Sequence, residues 1–449
     1  MLARTWLRRR WVPSLVVVAA ISVVGCGDDE EDATPVATAD QTVAAETSDA
    51  PTADTSAPAA ASTSDSSTGS TTATSDSPTA PSDAAVKVMV IAPTETQVSD
   101  IPEAPAGVQA AGDAINARGG IGGRAVEVIY CNDRNDPNEA AACGRQAVEE
   151  EVAAVVGSYS LAGSARVLPL LEEAQIPYIN PVVLGATDTS SPVSFLMTGD
   201  VIGNFVGCGY QLGQAGATTV KVIRLDVAAA AQAESFVQIG LGASGLELAG
   251  AVPVPPGTTD VNPFVASALS DGTDGLVLID TIQSVQLYLN AMQQSGVDLE
   301  DVAVCTIYDA LPETSVDDLG DAAEGVYVTS AFPPRERGVN PLMDQFLEEM
   351  DALGDEVPLN DHALNSWLGM QLLARVGEDL PTLDGPSLLS ALNEVRELDF
   401  EGLIPAYSAE PASQFPGLER VFGSGVYLLR VEDGAHGLVQ PDPIDAFNL

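Results

Sequence analysis

The sequence predicts an α/β protein of two doubly wound units with parallel sheets, and three observations carry that prediction. Short β-branched apolar runs alternate with longer amphipathic ones. The alternation restarts after Gly199. The part able to form a core, about 364 residues from Val86 to Leu449, is too long for one compact core.

The run "VKVMVIA" from Val86 is apolar on both faces, as a strand covered on both sides must be. In "EAPAGVQAAGDAINA", Val108, Ala111 and Ile115 share one helical face. The strand "AVEVIY", the helix "PNEAAACGRQAVEE" opening near Pro137, the strand "VAAVVG" and the helix "GSARVLPLLEEA" complete a βαβαβ order. After Gly199 the helices "FVGCGYQLGQAG", "AQAESFVQIGLGA", "VNPFVASALS" and "SVQLYLNAMQQSG" alternate with the strands "TTVKVIRL", "LELAGAVPV", "GLVLID" and "DVAVCTIY". A strand "GVYVTSAF", helices around Pro341 to Met350, Asp361 to Val376 and Gly385 to Val395, and a strand "GVYLLRVED" close the chain.

The corner "NARGGIGGRAVEVIYCND", Asn116 to Asp133, places four glycines within five residues. A dinucleotide loop needs G-x-G-x-x-G after a strand and opening a helix. Here the glycines follow a helix and precede a strand, and position 125 is Ala. Gly119 and Gly120 therefore read as a helix C-cap at positive φ, and Gly122 and Gly123 as the turn into the strand.

Residues 1–26 read as a lipoprotein signal peptide. Arg4, Arg8, Arg9 and Arg10 precede an apolar run from Val12 to Val24, shorter than the roughly 18–20 residues a bilayer needs. Val23-Val24-Gly25-Cys26 is similar to the bacterial lipobox, so Cys26 is the expected lipidation site and the membrane anchor. Residues 27–85 are almost entirely Asp, Glu, Ala, Thr, Ser and Pro, a composition that cannot offset its ordering entropy. This segment is expected to be a disordered acidic tether with an end-to-end distance of roughly 45 Å, holding the folded part off the outer face of the cell membrane.

Without the four signal-peptide arginines, 14 basic residues face 64 acidic ones, a formal charge of −50. That sign excludes a nucleic-acid partner and fits a solvated, salt-tolerant exterior. Four cysteines follow Cys26, an even number in an exported chain. Cys131 ends a strand and Cys143 lies in the first half of the next helix, so they are expected to pair, which leaves Cys208 with Cys305. Zinc is the rival reading, but the spacings match no common zinc pattern and the only histidines, His362 and His436, are distant. No metal and no cofactor are expected.

The run "AINARGGIGGRAVEVIYCNDRNDPNEAAACGRQAVEEEVAAVVGSYS" resembles the type I periplasmic binding proteins of the leucine-isoleucine-valine group, which feed ABC importers. The shared pattern is a helix ending in N-x-x-G-G, G-R before an apolar strand, D-x-x-D-P, and a later strand ending in Gly and serines. "EEAQIPYINP" and "FEGLIPAYS" extend the resemblance over most of Val86 to Leu449. It implies the type I periplasmic-binding fold: two Rossmann-like lobes joined by a three-stranded hinge and closing on a small ligand. The implied lobes are 86–200 with 330–420, and 201–329 with 421–449, with crossings near Gly199, Thr329 and Val421.

In open α/β sheets, ligands bind beyond the carboxyl ends of the strands. Those ends fall at Pro93 to Gln97, Asn132 to Asp136, Ser158 to Ser160 and Val182 to Thr187 in the first lobe. In the second they fall at Leu225 and Asp226, Asp280 to Gln283, and Tyr308 and Asp309. Ser158 and Ser160 precede a helix and are candidates for a ligand carboxylate, or else one is an N-cap. The resemblance favours Ser160, because family serines fall at this strand end. It also points to Asp309 as the partner of a ligand ammonium, ahead of Asp280 and Asp226; any one Asp in so acidic a chain also has a solvated-surface reading. Tyr159 and Tyr308 are expected to stack on or cover the ligand, or simply to pack. Val182 and Leu184 stand where amino-acid-binding relatives carry a threonine-containing turn, and "RLDVAAAAQAES" lacks the tyrosine of a D-x-x-Y-G turn. A ligand more apolar or differently charged than an ordinary α-amino acid follows.

The expected role is a solute-binding lipoprotein that presents a branched-chain amino-acid-like ligand, an amide or a small organic acid to ABC permease subunits. The second class is a sensor or interaction module of the same fold. The third, an exported hydrolase, lacks support: the chain has no G-x-S-x-G and no H-E-x-x-H, and two histidines give little material for a triad.

Overall fold

The computed structural model describes residues 84–96, 99–161, 163–354, 357–413 and 415–449. Cys26 and the tether as far as residue 83 lie outside them. Among the described residues no helix is long and apolar enough to cross a membrane.

The first lobe starts with β1 (Val86–Ile91), α1 (Glu103–Ala117), β2 (Val126–Cys131), α2 (Pro137–Glu149) and β3 (Ala154–Val156). It continues through α3 (Ser164–Ala174), β4 (Tyr178–Ile179), α4 (Ala186–Ser190) and β5 (Ser194–Phe195). These strands form a parallel sheet in the order β2-β1-β3-β4-β5. The second lobe holds α5 (Asp200–Gln214), β6 (Val220–Leu225), α6 (Ala228–Gly242), β7 (Leu248–Val254), α7 (Asn262–Ala268) and β8 (Gly275–Ile279). After these come α8 (Ile282–Gln294), β9 (Ala303–Ile307), a 3-10 turn over Tyr308–Ala310, α9 (Glu313–Leu319) and β10 (Tyr327–Ser330). The chain then returns to the first lobe for α10 (Pro341–Asp351), α11 (Asp361–Gly377) and α12 (Gly385–Glu394). It ends in the second lobe with β11 (Gly425–Glu432), β12 (Ala435–Leu438) and β13 (Ile444–Asp445). The second sheet runs β12-β11-β10-β9-β8-β6-β7, with β13 on β11.

The sequence reading has parallel sheets, and the second lobe departs from it at one edge. β11 pairs antiparallel with β10. β10 leaves the sheet toward the first lobe, and β11 re-enters from that lobe beside it, so the two must run in opposite directions.

Each sheet has its own core. Val88, Val90, Val156, Phe346 and Trp367 are fully buried in the first lobe, as are Val222, Val277, Leu278, Tyr288 and Val304 in the second. Each such aliphatic or aromatic side chain contributes about 1.5–3 kcal/mol by leaving water. Val108, Ala111 and Ile115, the apolar face read from the sequence, are all buried. Helix starts follow local chemistry. Asp136 accepts from the amides of Asn138 and Glu139 with Pro137 at the first helical position, and Asn360 accepts from the Ala363 amide to open α11.

The glycine corner is structural. Gly119, Gly120, Gly122 and Gly123 all have positive φ, the Gly120 amide donates to Ile115 O at 2.9 Å, and a Cβ at Gly120 would stand 1.9 Å from Arg124 O. The cysteine sulfurs lie at disulfide distance in two pairs, Cys131 with Cys143 in the first lobe and Cys208 with Cys305 in the second, with Cα separations of 5.8 and 5.6 Å.

Candidate ligand-binding cleft

Each sheet reverses its strand order once, and a crevice opens at such a point beyond the strand ends. In the first lobe the reversal flanks β1, between β2 and β3; in the second it flanks β6, between β7 and β8. The rims are therefore the segments after β1 and β3 on one side and after β6, β8 and β9 on the other. An open depression lined by Leu289, Asp298, Asp321, Arg430 and Asp433 lies at the opposite end of the second sheet.

The first rim is closed upon itself. Ser158 is fully buried, and its Oγ accepts from the Ile91 amide at 3.0 Å, so its hydroxyl extends the β1–β3 ladder. Gly157 allows this turn: it has φ +62, and a Cβ there would stand 2.6 Å from Ser366 of α11. Ser160 is buried and donates to Asp133 Oδ2. Asp133 is 1% exposed and also accepts from the Asn135 amide at 3.1 Å; burial raises its carboxyl above the ordinary range, against the pull of these bonds. Helix α3 starts at Ser164, four residues after Ser160, with Gly163 as its cap.

The next loop spends its amides in the same way. The Val182 amide donates to Ser158 O at 2.9 Å, and the Val183 amide to Asp200 Oδ2 at 2.7 Å. The Leu184 and Gly185 amides both donate to Asp188 Oδ2, at 3.1 and 2.9 Å, and Ser164 Oγ adds a third donor at 3.1 Å. Val182 is buried and Leu184 half-buried. Burial pushes Asp188 up to about 6 and Asp200 up to about 7.

On the second rim, Asp226 is exposed and paired with Arg224 Nη1 at 3.3 Å. Asp280 accepts from the Tyr288 hydroxyl at 2.7 Å and from the Thr281 amide at 2.8 Å, which holds it to the start of α8. Tyr308 is fully buried, with the Arg335 guanidinium 3.8 Å from its ring centroid on one side and His436 at 4.8 Å. Arg335 is itself spent on Asp361, and its Nη1 donates to Ser330 Oγ at 3.0 Å.

Asp309 differs from the other second-rim acids in bonding across to the opposite lobe. It stands on the turn after β9 and crosses to the other lobe, where its Oδ1 accepts from the His362 amide in the first turn of α11 at 3.1 Å. His362 Nδ1 lies 3.4 Å from the same oxygen. Asp309 is only 7% exposed, and its Oδ2 has no hydrogen-bond partner among the described residues. Tyr159 packs on Ala92, Ile101 and Ala104 and meets the His362 ring at a tilt of 60°, with ring centroids 5.3 Å apart.

Sequence reasoning missed Glu103. It is 4% exposed in the first turn of α1 and accepts from Asn360 Nδ2 at 2.8 Å, and burial raises its carboxyl, an effect that His362 and the Asn360 bond oppose. It also missed Asp200, whose Oδ1 accepts from Asn365 Nδ2 at 3.2 Å. Four carboxyls thus converge on the first two turns of α11: Glu103 at Asn360, Asp361 itself, Asp309 at His362, and Asp200 at Asn365. Among the described residues no group of side chains is arranged to hold a metal ion.

A family model described as periplasmic binding protein matches residues 85–435. No curated protein sequence matches the chain. Among solved structures it is similar to a solute binding protein of an ABC transporter from Rhodopseudomonas palustris HaA2 in complex with p-hydroxybenzoic acid. That match has a TM-score of 0.67 and 21% identity, covering 81% of this chain and 98% of that one. It is also similar to the branched-chain amino acid transporter substrate binding protein LivJ from Streptococcus pneumoniae in complex with isoleucine (0.65, 18%, 80% and 99%). A third is the leucine binding protein LivK from Thermotoga maritima (0.64, 16%, 81% and 100%).

Proposed function

Because this chain belongs to the periplasmic binding protein family, we propose that it is the extracytoplasmic solute-binding lipoprotein of an ABC importer. It is anchored through Cys26, captures a small ligand between the lobes 86–200 with 330–420 and 201–329 with 421–449, and delivers it to permease subunits. Membership in a family of binding proteins supports capture rather than catalysis. The ligand classes to test first are branched-chain amino-acid-like molecules, amides and small organic acids.

The observation that carries this reading is Asp309. A side chain of one lobe caps a helix of the other while keeping one buried oxygen without a partner. A ligand seated there touches both lobes at once, so its binding energy differs between open and closed arrangements, which is what drives closure. The test joins two measurements. A ligand at about 100 times its dissociation constant raises stability by about 2.7 kcal/mol, visible in a thermal-shift screen. The same ligand should compact the protein in small-angle scattering, and a hit that leaves the scattering curve unchanged at saturation removes lobe closure from the account. For the anchor, labelling with palmitate in the host should be lost in Cys26→Ser.

A further inference from the structure

We propose that the cleft takes a small organic cation, an ammonium on an apolar body, that carries no carboxylate. This rests on the solute-binding reading and names the ligand class of that same cleft. Two sets of contacts carry it.

The first concerns where a ligand carboxylate would go. The strand-end loops of the first lobe are the natural anion site, since they gather amides and hydroxyls. Here the protein's own acids occupy five of them: Asp133 takes the Ser160 hydroxyl, Asp200 the Val183 amide, and Asp188 the Leu184 and Gly185 amides and the Ser164 hydroxyl. The Val182 amide donates to Ser158 O, and the Ser158 hydroxyl is fully buried and accepts from the Ile91 amide. A carboxylate brought to this rim finds three buried acids and amides and hydroxyls already committed to them, so it is repelled and poorly paired.

The second concerns the ammonium. Glu103, Asp200, Asp309 and Asp361 meet around the start of α11, and Arg335 is paired with Asp361 alone. The helix N-terminus offsets part of one charge, which leaves carboxyls in excess. Asp309 Oδ2, buried and without a partner, supplies the acceptor. Half-buried Tyr159 packs against His362, which contacts Asp309, so aromatic side chains suited to an apolar body and to cation–π contact with an ammonium lie next to this acid. The strongly acidic chain adds a long-range field that draws cations and turns anions away.

The experiment is isothermal titration calorimetry of the purified full-length protein with matched triplets. These are isopentylamine, leucine and 4-methylpentanoate; phenethylamine, phenylalanine and 3-phenylpropanoate; and putrescine, ornithine and 5-aminopentanoate. The expected result is that the amine is the tightest ligand of its triplet, by about 10- to 100-fold over the amino acid, the range of one or two charge-assisted contacts. Tightest binding of an amino acid or an acid overturns the inference and leaves the solute-binding reading standing. No binding by any of the nine overturns both. Asp309→Asn should weaken the amine about 10- to 100-fold, with the unliganded melting temperature unchanged or higher. Glu103→Gln should weaken it too, and provides the check if the first variant folds poorly. Unchanged amine affinity in a folded Asp309→Asn protein overturns the assignment.

Discussion

At the strand ends of the first lobe the buried acids are held by donors of their own lobe or hinge, Asp133 by Ser160, Asp188 by two amides and a hydroxyl that all meet its Oδ2 while its Oδ1 has no partner among the described residues, and Asp200 by Val183 and Asn365. At the strand ends of the second lobe Asp226 and Asp280 are answered in the same way, but Asp309 reaches across the cleft and keeps an oxygen unanswered. Both sides use buried carboxylates, and burial costs a carboxylate free energy unless hydrogen bonds return it. The difference lies in who returns it. An acid bonded by several donors of its own lobe fixes a loop; one held by a single amide of the opposite lobe, with its other oxygen unpartnered, reserves affinity for a partner that arrives later.

The lobes also differ in their sulfur pairs, where the largest effect is expected. Cys208 and Cys305 close a loop of sequence separation 97, against 12 for Cys131 and Cys143. If both are bonded in the exported protein, loop-closure entropy makes the second-lobe bridge worth about 4–5 kcal/mol and the first-lobe bridge about 3 kcal/mol. Replacing Cys208 and Cys305 together with Ala should therefore lower the urea midpoint more than replacing Cys131 and Cys143. Denatured, unreduced protein should show only trace thiol.

Asp188 sharpens the contrast between rims. Asp188→Ala strips the partner from the Leu184 and Gly185 amides and the Ser164 hydroxyl at once. Leaving several partly buried donors unmet should cost about 2–4 kcal/mol, read as a shift in the denaturation midpoint with little change in slope. A loss below about 1 kcal/mol would mean that water reaches this loop freely, and the first rim would then be open to a ligand carboxylate after all.

The fold was legible because its signals are local and repetitive. "VKVMVIA" and "GLVLID" are apolar on both faces only because helices cover both sides, and the restart after Gly199 coincides with the start of α5 at Asp200. The glycine corner was legible from order alone, helix before and strand after. The interior acids were not. With 64 acidic residues in the chain, nothing in the pattern separates Asp188 or Asp200 from surface aspartates, because their role depends on contacts made across the lobe. Asp200 has φ 44 and follows a glycine, a backbone state that no periodicity encodes. Glu103 looks like an ordinary acid in a helix's first turn, complementing the macrodipole; its partner Asn360 lies 257 positions away. Ser158 and Ser160 stand on the rim where the strand-end rule puts them, but which atom holds each hydroxyl is a tertiary fact.

A smaller effect should appear with pH. Burial raises Asp200 to about 7 and Asp188 to about 6, far above their unfolded values near 4. The folded state then holds protons that the unfolded state has released, so the stability they contribute is complete below about pH 4 and is lost as pH rises through about 6 and then 7. From pH 5 to 8 the unliganded protein should lose on the order of 1–3 kcal/mol through these groups. Self-repulsion of the acidic surface runs in the same direction, so the test is a comparison: thermal melts of Asp200→Asn should be flatter over this range than those of the parent. Parallel curves would show that Asp200 ionises as a solvated carboxyl does, and that its bonds to Val183 and Asn365 compensate it fully.

The smallest stability effect is expected at Asp309, and its smallness separates the two rims. Truncation to Ala removes one bond to the His362 amide, worth about 1 kcal/mol. That amide belongs to a helix N-terminus, where water readily replaces a lost cap. Truncation also removes a buried charge whose second oxygen has no partner and which stands among Glu103 and Asp200, so relief of desolvation and repulsion opposes the loss. The two contributions are of similar size, and the unliganded protein should change by less than about 1 kcal/mol in either direction. Asp188→Ala, an equal truncation on the other rim, should cost several times more. If Asp309→Ala instead melts as far below the parent as Asp188→Ala does, Asp309 is a structural clasp between lobes, the distinction between fixed and reserved acids fails, and the ligand must be sought elsewhere along the second rim.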